Sequence, residues 1–585
     1  MTPGDKRSTV NAGGSFLLER HDPASMLTPE RFDDELRMIG QSAAEFVERE
    51  IKPVFDELEA LDYDLSVSLM RRAGELGLAA IEVPERYGGL GGSKAAAILV
   101  CEKLAGAGSF NVTFNAHASI GTLPIVYFGT PEQCQRYLPK LAAGELIGAY
   151  CLTEPGSGSD ARGAKARASL NGAGTHYELS GTKMWISNAG FADLFTVFAQ
   201  VGGDKLTTFL VERATPGLSF GGEEAKMGIK GSSTRQVIFD GTPVPVANVL
   251  GEVGKGHVIA FQALNLGRLK LAAGAVGGCK EMIRLATTYA LEREQFGRKI
   301  ADFGLIQEKI GRMAAATFAL ESAVYRLTGD LDARLTGRQA QQEQLEAIGE
   351  YVVEYSLLKV AGSELLDEVI DETLQVHGGN GFSAEYPVER AYRDSRVNRI
   401  FEGTNEINRL LITGQLLRRA VSGRLDLFKP APAAAGAGEA ASSGIPPALH
   451  DVAFGVEGLK RATTRVAVSA AATYRQDVEH EQEIMARVAD MVSAVYLSES
   501  ALLRAVTLEG SPKQSDAALL ARLYTFEAAA RLRAAAAEAV ARISRKTEGE
   551  VTGLDAALPE HGADLIGLRR EAARTAYAGR RYPFS

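Results

Sequence analysis

One acidic residue in this 585-residue chain has the surroundings of a base that works on carbon. Glu402 follows two large apolar residues, Ile400 and Phe401, and precedes Gly403. A carboxylate among apolar neighbours loses hydration in its charged form, and the raised basicity suits removal of a proton from a C–H bond. Taken alone, a Glu before Gly-Thr is more often a turn or helix-start residue than a catalyst. Upstream, Gly378, Gly379 and Gly381 let backbone approach a ligand closely. The stretch YCLTEPGSGSDARG (150–163) concentrates hydroxyls, glycines and backbone donors, which hold a polar ring edge or a phosphate without a dedicated charge. On composition alone a generic turn is the favoured reading. KMWISNAG carries Trp185, the only Trp of the chain, a type usually found in a core. Arg293 in REQFGRKI is otherwise a helix-end cation. His117 has no carboxylate or nucleophile beside it in sequence and is expected in a core or interface.

The stretch 375–406, QVHGGNGFSAEYPVERAYRDSRVNRIFEGTNE, resembles the second signature of the acyl-CoA dehydrogenase family. Gln375, Gly378-Gly379, Gly381-Phe382, Glu385, Arg390 and Asp394 stand at the family's spacing, and TEPGSGSD resembles its first signature. IFEGTNEI and much of the remaining chain resemble in particular the very-long-chain branch. The resemblance implies an FAD enzyme of fatty-acid β-oxidation that desaturates long-chain acyl-CoA thioesters to trans-2-enoyl-CoA. Glu402 then removes the α-proton and flavin N5 takes the β-hydride. The N–H of the base residue and a ribityl hydroxyl stabilise the enolate, as an oxyanion hole does. Electron-transfer flavoprotein is the implied acceptor.

The same resemblance carries roles onto further residues. Tyr150, Cys151, Leu152 and Thr153 line the flavin, with Gly158 and Ser159 near the pantetheine and flavin phosphate. Trp185 packs on the isoalloxazine, with Ile186 and Ser187 beside it and the Ser187 hydroxyl near N5. Thr404, Asn405 and Glu406 also belong to the cofactor site. Arg293, Gln295 and Phe296, with Gln375, Val376, Gly378 and Gly379, reach the FAD of a neighbouring subunit, which implies a homodimer. Ser159, Asn265, Arg268, Phe401 and Gly403 meet the acyl-CoA substrate. No metal is implied. Gly267 precedes Arg268, where some members carry their base, so no second carboxylate competes with Glu402. Gly267 also leaves space beside the acyl channel, or serves helix packing. Gly304 replaces a Gln near the flavin in many members and receives no role. An acyl-CoA oxidase, separated by its peroxide yield, and a non-catalytic flavoprotein relative are the rival readings.

Four structured regions must position these residues. From 29 to 147 apolar residues recur at three and four, with breaks at Pro53, Pro84 and Gly88-Gly89, which predicts a helical domain. From 148 to 255 the period alternates between turn signals and predicts a small β-barrel or sandwich. From 256 to 427 the helical period returns in four long segments, one of them running unbroken from 343 to 379, and predicts an antiparallel four-helix bundle carrying Glu402. Residues 1–28 read as an N-terminal tail, and 428–450, rich in Pro, Ala, Gly and Ser, as a linker. The region 451–585 is Ala-rich and helical in period. Its length and place resemble the extra helical domain of the very-long-chain branch, where it blocks tetramer formation. The fold class is thus multidomain α+β.

Bulk properties narrow the function classes. A net charge of −9 and a pI near 5.6 argue against a nucleic-acid binder. So do the 18 Lys+Arg and 18 Asp+Glu of 450–585. Four cysteines without CxxC spacing indicate neither a zinc site nor a disulfide framework. The first residues, MTPGDKRSTVNAGG, lack the pattern of an export or transit peptide, and a cytoplasmic protein is the expectation. No apolar run reaches the ~18 residues of a spanning helix; peripheral membrane contact is left open.

Overall fold

The computed structural model describes residues 11–338, 340–429, 441–547 and 563–585. Seven α-helices, α1 (Asp34–Phe46) to α7 (Pro131–Ala142), form the first layer. α7 starts where sequence chemistry requires it. Thr130 and Gln133 form a reciprocal capping box, and Pro131 occupies the first turn, where its missing N–H costs nothing. Between α5 (Ser109–Asn115) and α6 (Leu123–Phe128) lies a wide helical turn, Ala116–Gly121. His117 in that turn is buried and structural. Its Nε2 donates to the Leu141 carbonyl (3.0 Å) and its Nδ1 accepts the Gly148 N–H (3.0 Å). A neutral ring thereby joins α7 to the first strand.

The strands β1 (Gly148–Cys151), β2 (Arg167–Leu170), β3 (His176–Ser187), β4 (Leu194–Val201), β5 (Lys205–Glu212), β6 (Leu218–Glu223), β7 (Thr234–Pro245) and β8 (Val249–Leu250) form one eight-stranded sheet in the order β6-β7-β3-β2-β4-β5-β8, with β1 also on β4. β1 and β2 (Arg167–Leu170) run parallel to β4 (Leu194–Val201) and share one of its edges. Cys151 pairs with Val197, and Arg167 with Gln200. The fifteen residues between Cys151 and Arg167 therefore bridge a gap of only Phe198 and Ala199 on β4 and must leave the sheet. That excursion is the Gly/Ser loop.

The bundle consists of α8 (Gly256–Glu292), α9 (Gly304–Leu335), α11 (Val352–His377) and α13 (Asn405–Val421), with the shorter α10 (Gln341–Gly349) and α12 (Pro387–Ser395). The segment predicted as one helix over 343–379 breaks at Glu350–Tyr351. Glu350 turns inward there. Its carboxylate accepts from the Gly13 N–H (2.9 Å), Arg419 (2.6 Å) and Arg424 (2.6 Å), and those bonds outweigh one more helical turn.

The predicted N-terminal tail is corrected by the same contacts. The Gly14 N–H donates to Glu354 (2.6 Å), and Phe16 packs edge-on against Tyr496 (4.7 Å). A Cβ on Gly13 would strike the Glu350 carbonyl, so only glycine passes at this close approach. Of the predicted linker, 430–440 lies outside the described residues, while Ala441, Ile445 and Leu449 are buried.

The last helices, α14 (His450–Tyr474), α15 (Gln482–Thr507), α16 (Gln514–Thr547) and α17 (Leu565–Gly579), share one continuous apolar core with the bundle, in which Leu320 and Val324 meet the same cluster as Val492, Leu502 and Leu520. Each such side chain contributes about 1.5–3 kcal/mol on burial. Two buried ion pairs cross this contact, Arg326–Glu499 (2.8 Å) and Arg504–Glu321 (2.6 Å).

Candidate active site

A cavity of about 570 Å³ lies among α5, α8, α11, α12 and the loop that leads into α13, and Glu402, Phe401 and Ser187 stand in its wall. Glu402 has φ +58° and Gly403 φ +81°. The left-handed conformation is costly for a residue with a side chain and persists only where surroundings impose it. Here three side chains grip the loop by its carbonyl oxygens. Arg268 Nε donates to the Glu402 carbonyl (3.1 Å), and Lys359 Nζ donates to that of Gly403 (2.7 Å). Asn408 Nδ2 also donates to the Gly403 carbonyl (2.8 Å). With both carbonyls held, the backbone N–H of Glu402 is left, among the described residues, without an acceptor.

The carboxylate itself sits in an apolar niche. Its Oε2 is buried with no hydrogen-bond partner. A Cβ on Gly267 would come within 2.9–3.0 Å of the carboxylate atoms, so the space at Gly267 belongs to the base rather than only to a substrate. Burial raises the Glu402 pKa to about 7, against the pull of Arg268 and Lys359. Burial lowers Lys359 to about 7 and Arg268 to about 10, each partly restored by Glu402. Lys359 and Asn408 were missed in the sequence. A lone Lys inside the apolar run LLKVAG was the available signal, since a buried ammonium demands partners.

Trp185 reaches its position through an irregularity in β3 (His176–Ser187). The β3–β7 register shifts between Lys183 and Ile186, and Trp185 has φ +60°. The bulge turns the indole outward, leaving it about half exposed rather than in the core. Beside it, the Met184 N–H donates to the Thr153 carbonyl (2.9 Å). The buried Lys183 ammonium bonds Glu154 (2.7 Å) and the Leu152 carbonyl (3.1 Å). Glu154 also accepts the N–H groups of Lys165 (2.6 Å) and Ala166 (3.0 Å). The Gly/Ser loop is thus tied at both ends to the Trp bulge. Between the ties, Gly158 and Ser159 are exposed, and a Cβ on Gly158 would meet nothing within 4 Å.

Several predicted site residues are corrected in the part they offer. Along β1, Tyr150 and Leu152 face one core while Cys151 faces the other, as strand alternation requires. The side chains of Cys151, Ile186 and Val376 are buried in packed clusters, so only their backbones are available to a ligand. The Asn405 carboxamide is taken up by Lys359, Ser363 and Glu364 and supports the base loop instead. Thr404 caps α13 by accepting the Ile407 N–H (3.3 Å), and Glu406 is exposed in its first turn. Asn265 is buried and accepts from Arg268 (3.2 Å).

A second group stands apart from the cavity, on the surface. Arg293, Gln295 and Phe296 project on a two-stranded hairpin, Phe296 being 93% exposed. Gln375, Gly378 and Gly379 are exposed at the end of α11. Tyr289 joins the two segments, stacking on His377 (4.3 Å) and accepting from Asn380 (3.0 Å).

Comparison with known proteins gives these positions a context. Three family models cover most of the first 417 residues: the acyl-CoA dehydrogenase N-terminal domain over 33–145, the middle domain over 149–242 and the C-terminal domain over 254–417. A further model, also described as an acyl-CoA dehydrogenase C-terminal domain, matches 458–552. The chain is 46% identical over 595 residues to a probable acyl-CoA dehydrogenase of Bacillus subtilis, covering 99% of both chains. It is 36% identical over 541 residues to the very long-chain specific mitochondrial enzyme of Bos taurus, covering 85% of this chain and 80% of the other. A crystal structure of an acyl-CoA dehydrogenase complexed with FAD from Bacillus anthracis superposes with a TM-score of 0.92 at 42% identity, over 98% of this chain and all of the other. Butyryl-CoA dehydrogenase from Megasphaera elsdenii superposes with a TM-score of 0.61 at 34% identity, over 66% of this chain and 99% of the other.

Proposed function

Because the chain belongs to the acyl-CoA dehydrogenase family, we propose that it desaturates long-chain acyl-CoA thioesters between Cα and Cβ in fatty-acid oxidation, with Glu402 as the base. The observation that carries this reading is the Glu402 carboxylate in the wall of the cavity, its Oε2 buried without a hydrogen-bond partner. The arrangement suits the chemistry. A carboxylate with a pKa near 7 is about half ionised at neutral pH and basic enough for general-base work. The N–H of Glu402, unpaired among the described residues, suits the thioester oxygen as negative charge develops there.

The residues fit FAD. The half-exposed Trp185 face offers a flat apolar surface and Ser187 a hydroxyl in the cavity wall, and the Gly/Ser loop beside them is tied in place through Glu154. A Cβ on Gly378 or Gly379 would meet nothing within 4 Å, which leaves room at the surface for the part of FAD bound by a second subunit. When bound, FAD supplies the acceptor for the hydride that leaves Cβ. This chain's own work is to orient the thioester, remove its α-proton and exclude water.

Long acyl chains suit the cavity. On α8 its wall runs through Gly267, Leu271, Gly274, Gly278, Met282 and Leu285, about 27 Å of helix. Electron-transfer flavoprotein as the acceptor, and a homodimer, follow the family. The exposed Phe296, Leu305 and Phe382 support a second copy seated over the hairpin.

Anaerobic mixing of the FAD-loaded protein with a series of acyl-CoAs tests the reading. Flavin bleaching that grows from butyryl- to octadecanoyl-CoA is expected. Glu402→Gln should still bind octadecanoyl-CoA while flavin reduction slows by about 10²–10⁴-fold. A near wild-type rate per flavin would remove Glu402 from the mechanism.

A further inference from the structure

The wall that α5 and the turn after it give to the cavity is not the hydrocarbon surface that a plain fatty chain would prefer. Asn111, Asn115 and Ser119 recur every four residues along α5 and the turn after it, and all three line the cavity. Asn115 is fully engaged. Its Nδ2 donates to the Asn111 carboxamide oxygen (2.7 Å) and backbone carbonyl (2.9 Å), and its Oδ1 accepts the Cys101 thiol (3.1 Å). Asn111 is not. Its Oδ1 is held by Asn115, and its Nδ2 has no acceptor among the described residues. That Nδ2 stands 3.7 Å from where a Cβ on Gly274 would lie, which sets the amide beside Gly274 on the cavity wall that both residues line. The Ser119 hydroxyl, buried and also without a partner, continues the polar line toward the base.

We propose that the acyl channel is built for a fatty acyl chain carrying a hydroxyl near its middle, which the Asn111 carboxamide takes up beside Gly274. This rests on the desaturase reading above and names its substrate class more narrowly. The position along the chain follows from the helix. Gly267 abuts the Glu402 carboxylate and so marks the reacting carbons, and Gly274 lies seven residues on, about 10 Å by helical rise. With C–C bonds of about 1.5 Å, a zigzag chain covers that span in about eight carbons, which sets the hydroxyl near C10. A plain chain strips water from the Asn111 amide and returns nothing, whereas a hydroxyl restores the bond. It does so whichever way the amide is turned, because a hydroxyl both donates and accepts.

The test is anaerobic stopped-flow flavin reduction of the FAD-loaded enzyme by octadecanoyl-CoA and by its 6-, 10- and 14-hydroxy derivatives. The expected second-order rate constant is highest for the 10-hydroxy chain, about tenfold above the unsubstituted one. Asn111→Leu should abolish that preference by slowing the 10-hydroxy chain and favouring the plain one. Should this variant not fold, the positional series on the wild type decides alone. A flat series, a maximum at C6 or C14, or an unchanged ratio in Asn111→Leu overturns the proposal and leaves the desaturase reading standing. No reduction by any of the four, with FAD bound, overturns both.

Discussion

Glu402 is held in a high-energy backbone conformation by cations whose other effect is to ionise it. Arg268 and Lys359 bind the loop carbonyls and at the same time oppose the burial that raises the carboxyl to about 7. The base must be charged to act, so flavin reduction at limiting acyl-CoA should rise with pH through about 7. Lys359→Met removes one of those cations and should move the half-rise to higher pH, as read from the pH profile of the reduction rate. An unmoved profile would mean that Lys359 only braces the loop. Stability has the opposite sign. A carboxyl whose folded pKa lies above its ordinary 4.5 stabilises the fold below that value and loses the contribution as pH rises through 7. Glu402→Gln is therefore expected to raise the thermal midpoint relative to wild type above pH 7, and much less below pH 4.5.

At the scale of elements, the extension is joined to the bundle by groups that do not tolerate separation. Glu499 on α15 is fully buried and bonds both Arg326 on α9 (2.8 Å) and Lys460 on α14. Deleting one member of such a set leaves uncompensated charge in the interior. Glu499→Ala should cost about 3–5 kcal/mol, seen as a lowered midpoint in thermal or urea unfolding. A loss under about 1 kcal/mol would show that water reaches this interface. His117 offers a contrast in sign. Burial depresses its pKa to about 4, so the stability it contributes is present above its ordinary 6.5 and is lost as pH falls toward 4.

For the whole molecule, the shared core sets what can be removed. The bundle and extension form one apolar cluster, and truncation after Lys429 would expose its α9 face to water. The truncated chain is expected to aggregate or to fail to retain FAD, as judged by size-exclusion chromatography with absorbance at the flavin band. The intact protein with FAD should scatter light as a dimer. A stable FAD-bound monomer would contradict the role proposed for the hairpin at Phe296 and the glycines at 378 and 379.

The helical, β and helical regions were legible in the sequence because their periods differ, and Glu402, Trp185 and the Gly/Ser loop because the short motifs around them resemble those of a known family. These are local signals, carried by residues a few positions apart. What required the tertiary structure was contact between distant segments. Lys359 and Asn408 meet the base loop only when α11 and α13 pack together. Gly267 read as room beside an acyl chain until the fold brought the Glu402 carboxylate against it. The N-terminal residues looked like a tail because nothing nearby in sequence explains Phe16, whose partner Tyr496 is 480 residues away. Local spacing decides which elements form and what chemistry a residue can do. Which groups share a dry pocket, and hence their charge and basicity, is decided only when the chain closes on itself.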